Sequence, residues 1–142
     1  MLFKKILVAT DGSEFSRHAL ALAVEMAKNN QADLEIMHAI NPLPYITSEA
    51  GSQFFVLTPE QIAEIGQQIM DITSEDIDFG QIAVTKKVVY GYPVAEILEE
   101  AEKGFELIVM GTRGHSAFGG AIIGSVTQRI LGEAKCPVLI VK

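Results

Sequence analysis

The sequence predicts an α/β protein, a three-layer α/β/α sandwich around a five-stranded parallel sheet. Three observations predict it. Five short apolar runs are separated by four stretches with helical spacing, and that alternation calls for a parallel sheet with right-handed crossovers. The first run, Ile6-Leu7-Val8-Ala9, is continuously apolar, as in a strand covered on both faces, while the third is interrupted by polar residues, as near a sheet edge. Two glycine-hydroxyl turns follow strands one and four, the end at which ligands sit in such folds. With 142 residues, 49% of them hydrophobic and 20% charged, the expectation is one domain over 1–142 that buries roughly two-thirds of its unfolded surface.

The first strand is Ile6-Leu7-Val8-Ala9. Two lysines before a short apolar run invite a signal-peptide reading, but Asp11 interrupts the run and no small-residue cleavage site follows. Thr10-Asp11-Gly12-Ser13 makes the next turn, with Ser13 as a helix N-cap. Phe15, Ala19, Leu22 and Met26 recur at helical spacing through about Lys28, and Asn29-Asn30 closes that helix. Leu34 to Ile40 is the second strand.

Residues 41–57 are irregular, with Pro42, Pro44, Gly51 and the run Phe54-Phe55-Val56-Leu57. A loop of this length serves as a lid or partner surface, or else its aromatics pack back on the body; the residues leave both open. Thr58-Pro59-Glu60-Gln61 combines a capping box with proline at the first helical position. Ile62, Ile65, Ile69 and Ile72 mark the face of a helix expected to end before Phe79-Gly80. Ile82, Val84, Lys86 and Val88 mark strand three, and Tyr90-Gly91-Tyr92-Pro93 turns into a helix carrying Val94, Ile97, Leu98 and Ala101. Strand four is Leu107 to Met110, a helix runs from Ser125 to about Glu133, and Val138 to Val141 is strand five.

The chemistry concentrates in Gly111-Thr112-Arg113-Gly114 and Gly124-Ser125-Val126-Thr127. Gly111 and Gly114 are expected to use positive φ and to let backbone approach a ligand. A helix start offers orphan N–H groups and a dipole that favours negative charge. Ser125 and Thr127 add hydroxyls, and Arg113 and His115 add cationic character. The alternative is a glycine-rich connection capped by Ser125 with Arg113 solvated, and spacing alone does not separate the two. The loop is not a Walker A sequence, and no GxGxxG follows strand one, so P-loop phosphoryl transfer and Rossmann dinucleotide binding are not expected. Asp11 is suited to ribose hydroxyls or to a phosphate-bound magnesium ion, or simply to an Asx turn. His38 is expected to pack at its strand end, and Ala39 to offer main-chain groups to an adenine edge.

Composition narrows the partners. A formal net charge of −7 argues against nucleic acid and anionic membrane surfaces, and no apolar run approaches the roughly 20 residues of a membrane span. The single cysteine, Cys136, excludes an internal disulfide and is expected to act as a small hydrophobe.

The stretch Ile6–Ser13, the turn Gly91-Tyr92-Pro93, the spacing Gly111-x2-Gly114-x9-Gly124-Ser125 and the ending Cys136–Val141 resemble the universal stress protein family, in order and over essentially the whole chain. The G-x2-G-x9-G-S/T spacing is that of the family's ATP-binding branch. The resemblance implies an adenine nucleotide alpha hydrolase-like (HUP) fold with sheet order 3-2-1-4-5. It implies that Ala9, Thr10 and Asp11 line the adenosine side and that Ala39 meets adenine through its backbone. Met110, Gly111, Arg113 and Gly114 would border the ribose and first phosphate. Gly124, Ser125, Val126 and Thr127 would hold the phosphates of ATP (or ADP or AMP), with Mg2+ bridging their oxygens and Asp11 or Ser125 as its candidate protein ligands. Ala9 stands where some relatives carry proline, so the adenine-side turn departs from that pattern.

The same sheet order leaves apolar strand 138–141 at an edge, which implies a homodimer through that strand. The expected function is a cytoplasmic, nucleotide-dependent stress-response or signalling regulator with no catalytic residue assigned and loop 41–57 as a partner surface. The alternatives are a slow ATPase and a nucleotide-free dimeric binding module. Neither an SGGxDS nor a HIGH-type adenylation motif is present, and no general base is placed near Ser125.

Overall fold

The computed structural model describes residues 2–42, 56–114 and 123–142. Most of the irregular segment 41–57, and His115, lie outside the described residues. The elements are β1 (Lys5–Ala9), α1 (Glu14–Asn30), β2 (Asp33–Ile40), α2 (Pro59–Ser74), β3 (Val84–Tyr90), α3 (Pro93–Ala101), β4 (Leu107–Gly111), α4 (Ser125–Glu133) and β5 (Val138–Val141). All neighbouring strands pair in parallel, in the order β3-β2-β1-β4-β5. Ile6, Leu7, Val8, Ile108 and Val109 have no exposed surface, as their continuous apolar runs require of central strands.

Two core layers sandwich the sheet. Ile6, Val8, Ile36 and Val109 face α1 and α2, together with Ala19, Ala23 and Ala27. Leu7, Met37, Ile108 and Met110 face α3 and α4, with Ile97 and Ile130. The chain leaves β1 for β2 on one side and reaches β4 on the other, so the switch point lies between the carboxyl ends of β1 and β4.

The local signals act as their chemistry requires. Ser13 caps α1 by accepting the Ser16 N–H, and Thr58 with Gln61 forms a reciprocal capping box on α2. Two helical faces differ from the periodicity. The buried stripe of α1 is Ser16, Ala19, Leu20, Ala23, Val24 and Ala27, while Leu22 is exposed. The alanines let the helix backbone approach the sheet, so small residues, not the largest ones, mark its inner face. On α2, Gly66, Met70 and Thr73 are buried and Ile72 is exposed. A Cβ at Gly66 would fall 2.6 Å from Val88 Cγ1, so the helix rests on β3 there. That helix ends at Ser74, ahead of Phe79-Gly80 as expected, while β3 starts two residues later than expected, at Val84, with Ile82 packed against the core.

One buried ionic cluster crosses the α3 face. Glu100 is only 6% exposed and is engaged by Lys87 and, at 2.8 Å, by Lys103. Burial opposes its charge, but these ammonium groups and a hydrogen bond from Glu35 hold its pKa down at about 2. Burial, and then the Glu100 charge, push Glu35 upward.

Candidate functional site

Two turns at the switch point form the site. The first leaves β1 after a final ladder bond from Thr10 N–H to the Met37 carbonyl, 2.9 Å. Gly12, at φ +78°, supplies the left-handed turn. Side chains then tie the turn internally. Asp11 Oδ1 accepts from the Ser13 N–H at 2.9 Å and from the Ser16 hydroxyl at 3.2 Å. Thr10 Oγ1 accepts the Gly12 N–H at 3.1 Å, and lies 3.0 Å from Ser16 Oγ and 2.8 Å from Thr73 Oγ1. Thr10, Ser13, Ser16 and Thr73 are all buried, so these hydroxyls satisfy one another where water is excluded.

The second turn leaves β4 and is built from backbone. The Thr112 N–H reaches the Val141 carbonyl at 2.9 Å, and the Gly124 N–H closes the connection on the Thr112 carbonyl at 2.8 Å. Missing side chains allow the approach. A Cβ on Gly111 would meet Phe15 Cβ at 2.7 Å, one on Gly114 would meet Asp11 Oδ2 at 1.9 Å, and one on Gly124 would meet Arg113 Cα at 3.2 Å. Contrary to the expectation from sequence, neither Gly111 nor Gly114 has positive φ. Their requirement is for volume, and at Gly111 the space is taken by α1 and not by a ligand.

Other features of the turn also depart from expectation. Arg113 is not simply solvated: its guanidinium lies 4.7 Å from the Phe15 ring centroid. Gly124, not Ser125, occupies the N-cap of α4, and among the described residues no side chain caps that end. The Thr127 hydroxyl donates to the Gly111 carbonyl at 3.0 Å and is buried, so its proton braces β4 against α4.

Between the turns lies a cleft of about 560 Å3. Ala9, Thr10, Asp11, Ala39, Met110, Gly111, Arg113, Gly114, Gly124, Ser125, Val126 and Thr127 all line it. The sequence reading did not place Ser16, Met37, Pro93 and Ile97 on its wall, nor give His38 a part in it. Met37, Pro93 and Ile97 add apolar surface to its lining. The signal for His38 is a polar ring set among Ile36, Met37, Ala39 and Ile40 at the end of its strand. Its Nδ1 is 2.7 Å from the Thr10 carbonyl; since a carbonyl only accepts, Nδ1 carries the proton. Burial lowers the His38 pKa, against the opposing pull of that bond and the Asp11 charge, so the ring is neutral near pH 7.

The architecture and cleft define a doubly wound α/β protein with a cleft at its topological switch point. The chain belongs to the universal stress protein family, whose sequence profile matches residues 2–142. It is 36% identical to the universal stress protein YxiE of Bacillus subtilis, covering 99% of this chain and all of that one. Among solved structures, the hypothetical protein MJ0577 superposes with a TM-score of 0.82 at 28% identity, over 100% of this chain and 97% of the other. A universal stress protein in complex with cAMP superposes at 0.68 with 27% identity, over 99% and 98% of the two chains. The fold is thus the HUP-like α/β fold. No helix among the described residues is long and apolar enough to cross a membrane.

Proposed function

We propose that this protein is an ATP-binding, dimeric regulator of the cytoplasmic stress response, a single-domain chain whose cleft holds the nucleotide. The observation that carries the reading is the convergence of all twelve candidate residues, from four separate stretches of sequence, on one cleft. Its volume suits a ligand of nucleotide size. The apolar wall by Met37 and Ile97 suits a base, and the uncapped start of α4 beyond Gly124 suits phosphates. The cAMP complex of a relative supports an adenine nucleotide as the ligand class.

The residues also fit Mg2+ carried on the phosphates. Among the described residues, no group of three or more His, Cys, Asp or Glu is placed to hold a metal. A magnesium ion here would draw mainly on phosphate oxygens and water, with Asp11 or Ser125 adding a protein oxygen. The metal would supply neutralisation of phosphate charge. For the dimer, β5 lies at the sheet edge with all four residues only partly buried, and pairing with a second copy would cover it.

The test is to denature the purified protein and assay the supernatant for adenine nucleotide, then to titrate the emptied protein with Mg-ATP. Saturation near 100 times Kd should add about 2.7 kcal/mol of stability, seen as a rise in Tm. Absence of both bound nucleotide and an ATP-dependent rise overturns the reading.

A further inference from the structure

The β1–β2 ladder stops one rung early, where side chains engage the backbone groups that would extend it. In a parallel pair, alternate residues of one strand give both backbone groups to the same neighbour. Asp33 and Met37 serve β1, through Asp33 N–H to the Lys4 carbonyl and Thr10 N–H to the Met37 carbonyl, each 2.9 Å. Leu34 and Ile40 serve β3, at 2.9 Å to the Ala83 carbonyl and 3.0 Å from the Gly91 N–H. Ala39 is next in the series that faces β1. Regular pairing would join its N–H to the Thr10 carbonyl and its carbonyl to the Gly12 N–H.

Neither bond is present, and both partners are engaged by side chains instead. The Thr10 carbonyl accepts from His38 Nδ1 at 2.7 Å, and the Gly12 N–H donates to Thr10 Oγ1 at 3.1 Å. Ala39 therefore lines the cleft with a donor and an acceptor side by side and no backbone partner on that edge among the described residues. An adenine presents the complementary pair, an amino group beside a ring nitrogen; guanine, held by its ribose in the same orientation, presents a carbonyl beside an N–H.

We propose that His38 is the positioning residue for base recognition. By capping the Thr10 carbonyl it keeps the ladder from closing over Ala39, and so leaves that peptide to read adenine. The proposal rests on the reading of the cleft as an adenine-nucleotide site. It gives a specificity role to a ring that need not touch the base.

The test compares ATP and GTP binding by calorimetry in the wild type, His38→Leu and His38→Asn. Asparagine places its Nδ2 where Nδ1 stands and can cap the same carbonyl; leucine fills the space without a donor. His38→Leu should weaken ATP binding about tenfold and narrow the ATP/GTP ratio, while His38→Asn restores both. A space-filling role would not produce that rescue. Unchanged ATP affinity and discrimination in His38→Leu, or failure of Asn to rescue, overturns the proposal. A wild type that binds no adenine nucleotide overturns the reading of the cleft itself. Hydrogen exchange on the wild type gives an arm that needs no variant: the Ala39 amide should exchange freely without nucleotide and be protected by ATP, whereas protection equal to that of Met37 without nucleotide overturns the proposal.

Discussion

The two turns of the cleft follow equivalent strand ends yet are built in opposite ways. The β1 turn is held by side chains: four buried hydroxyls, one carboxylate and one imidazole bond inward, to each other and to the backbone. The β4 turn is held by the absence of side chains, with Gly111, Gly114 and Gly124 each seated where a Cβ would collide. The first commits its hydroxyls and Asp11 Oδ1 to bonds within the protein, which hold it in place. The second keeps its bulk low and leaves an uncapped helix start toward the cleft. Both turns line the cleft, one as a wall fixed by its own side chains and the other as a backbone surface kept clear of them.

The largest effect should come from Gly111→Val, which tests whether the second turn is seated on the helix that follows the first. The added carbon would approach Phe15 Cβ at 2.7 Å, the Phe15 carbonyl carbon at 2.8 Å and Ser16 N at 3.0 Å. Two of those atoms are backbone, so α1 itself would have to shift. A loss of about 3 kcal/mol is expected, a fall in Tm on the order of 10 °C, measured by thermal denaturation. An unchanged Tm would break the picture of one turn resting on the other.

Gly114→Ala should affect binding more than folding. Its Cβ would displace Asp11 Oδ2, 1.9 Å away, and Asp11 cannot turn aside without straining the bonds from Ser13 N–H and Ser16. Stability should fall by about 1 kcal/mol, read by urea unfolding, while ATP affinity falls at least about tenfold, read by calorimetry. Full affinity would mean that the contact between the turns does not set the geometry of the cleft.

The second turn was the more legible of the two. Glycine spacing survives in a linear text, so Gly111, Gly114 and Gly124 could be singled out, though the reason each must be glycine is a neighbour distant in sequence. Ser16, Thr73 and His38 gave no comparable sign. Thr73 meets Thr10 across 63 residues and His38 meets it across 28, and no local pattern encodes such a pairing. The strands were legible because two-sided burial writes a continuous apolar run, and their order came through resemblance. The inner face of α1 was misjudged at Leu22, since close approach to a sheet favours alanine over bulk.

The smallest effect concerns pH, and it belongs to the first turn. Burial depresses the His38 pKa below its ordinary value of about 6.5. Between the folded and unfolded values the unfolded chain therefore binds more protons, so stability falls as pH drops through that window and levels off above about 6.5. The bond to the Thr10 carbonyl is not what is lost, because Nδ1–H donates in both charge states. What changes is the cost of a charged ring in a mostly buried place. His38→Asn keeps a donor and removes the titration, so urea unfolding from about pH 7 to about pH 5 should give it a flatter stability profile than the wild type. Carboxylates elsewhere, Glu35 and Glu100 included, titrate alike in both proteins and cancel in the comparison. Parallel profiles for wild type and His38→Asn would show that His38 carries no pH-dependent cost, and the first turn would then owe its rigidity to the hydroxyls and Asp11 alone.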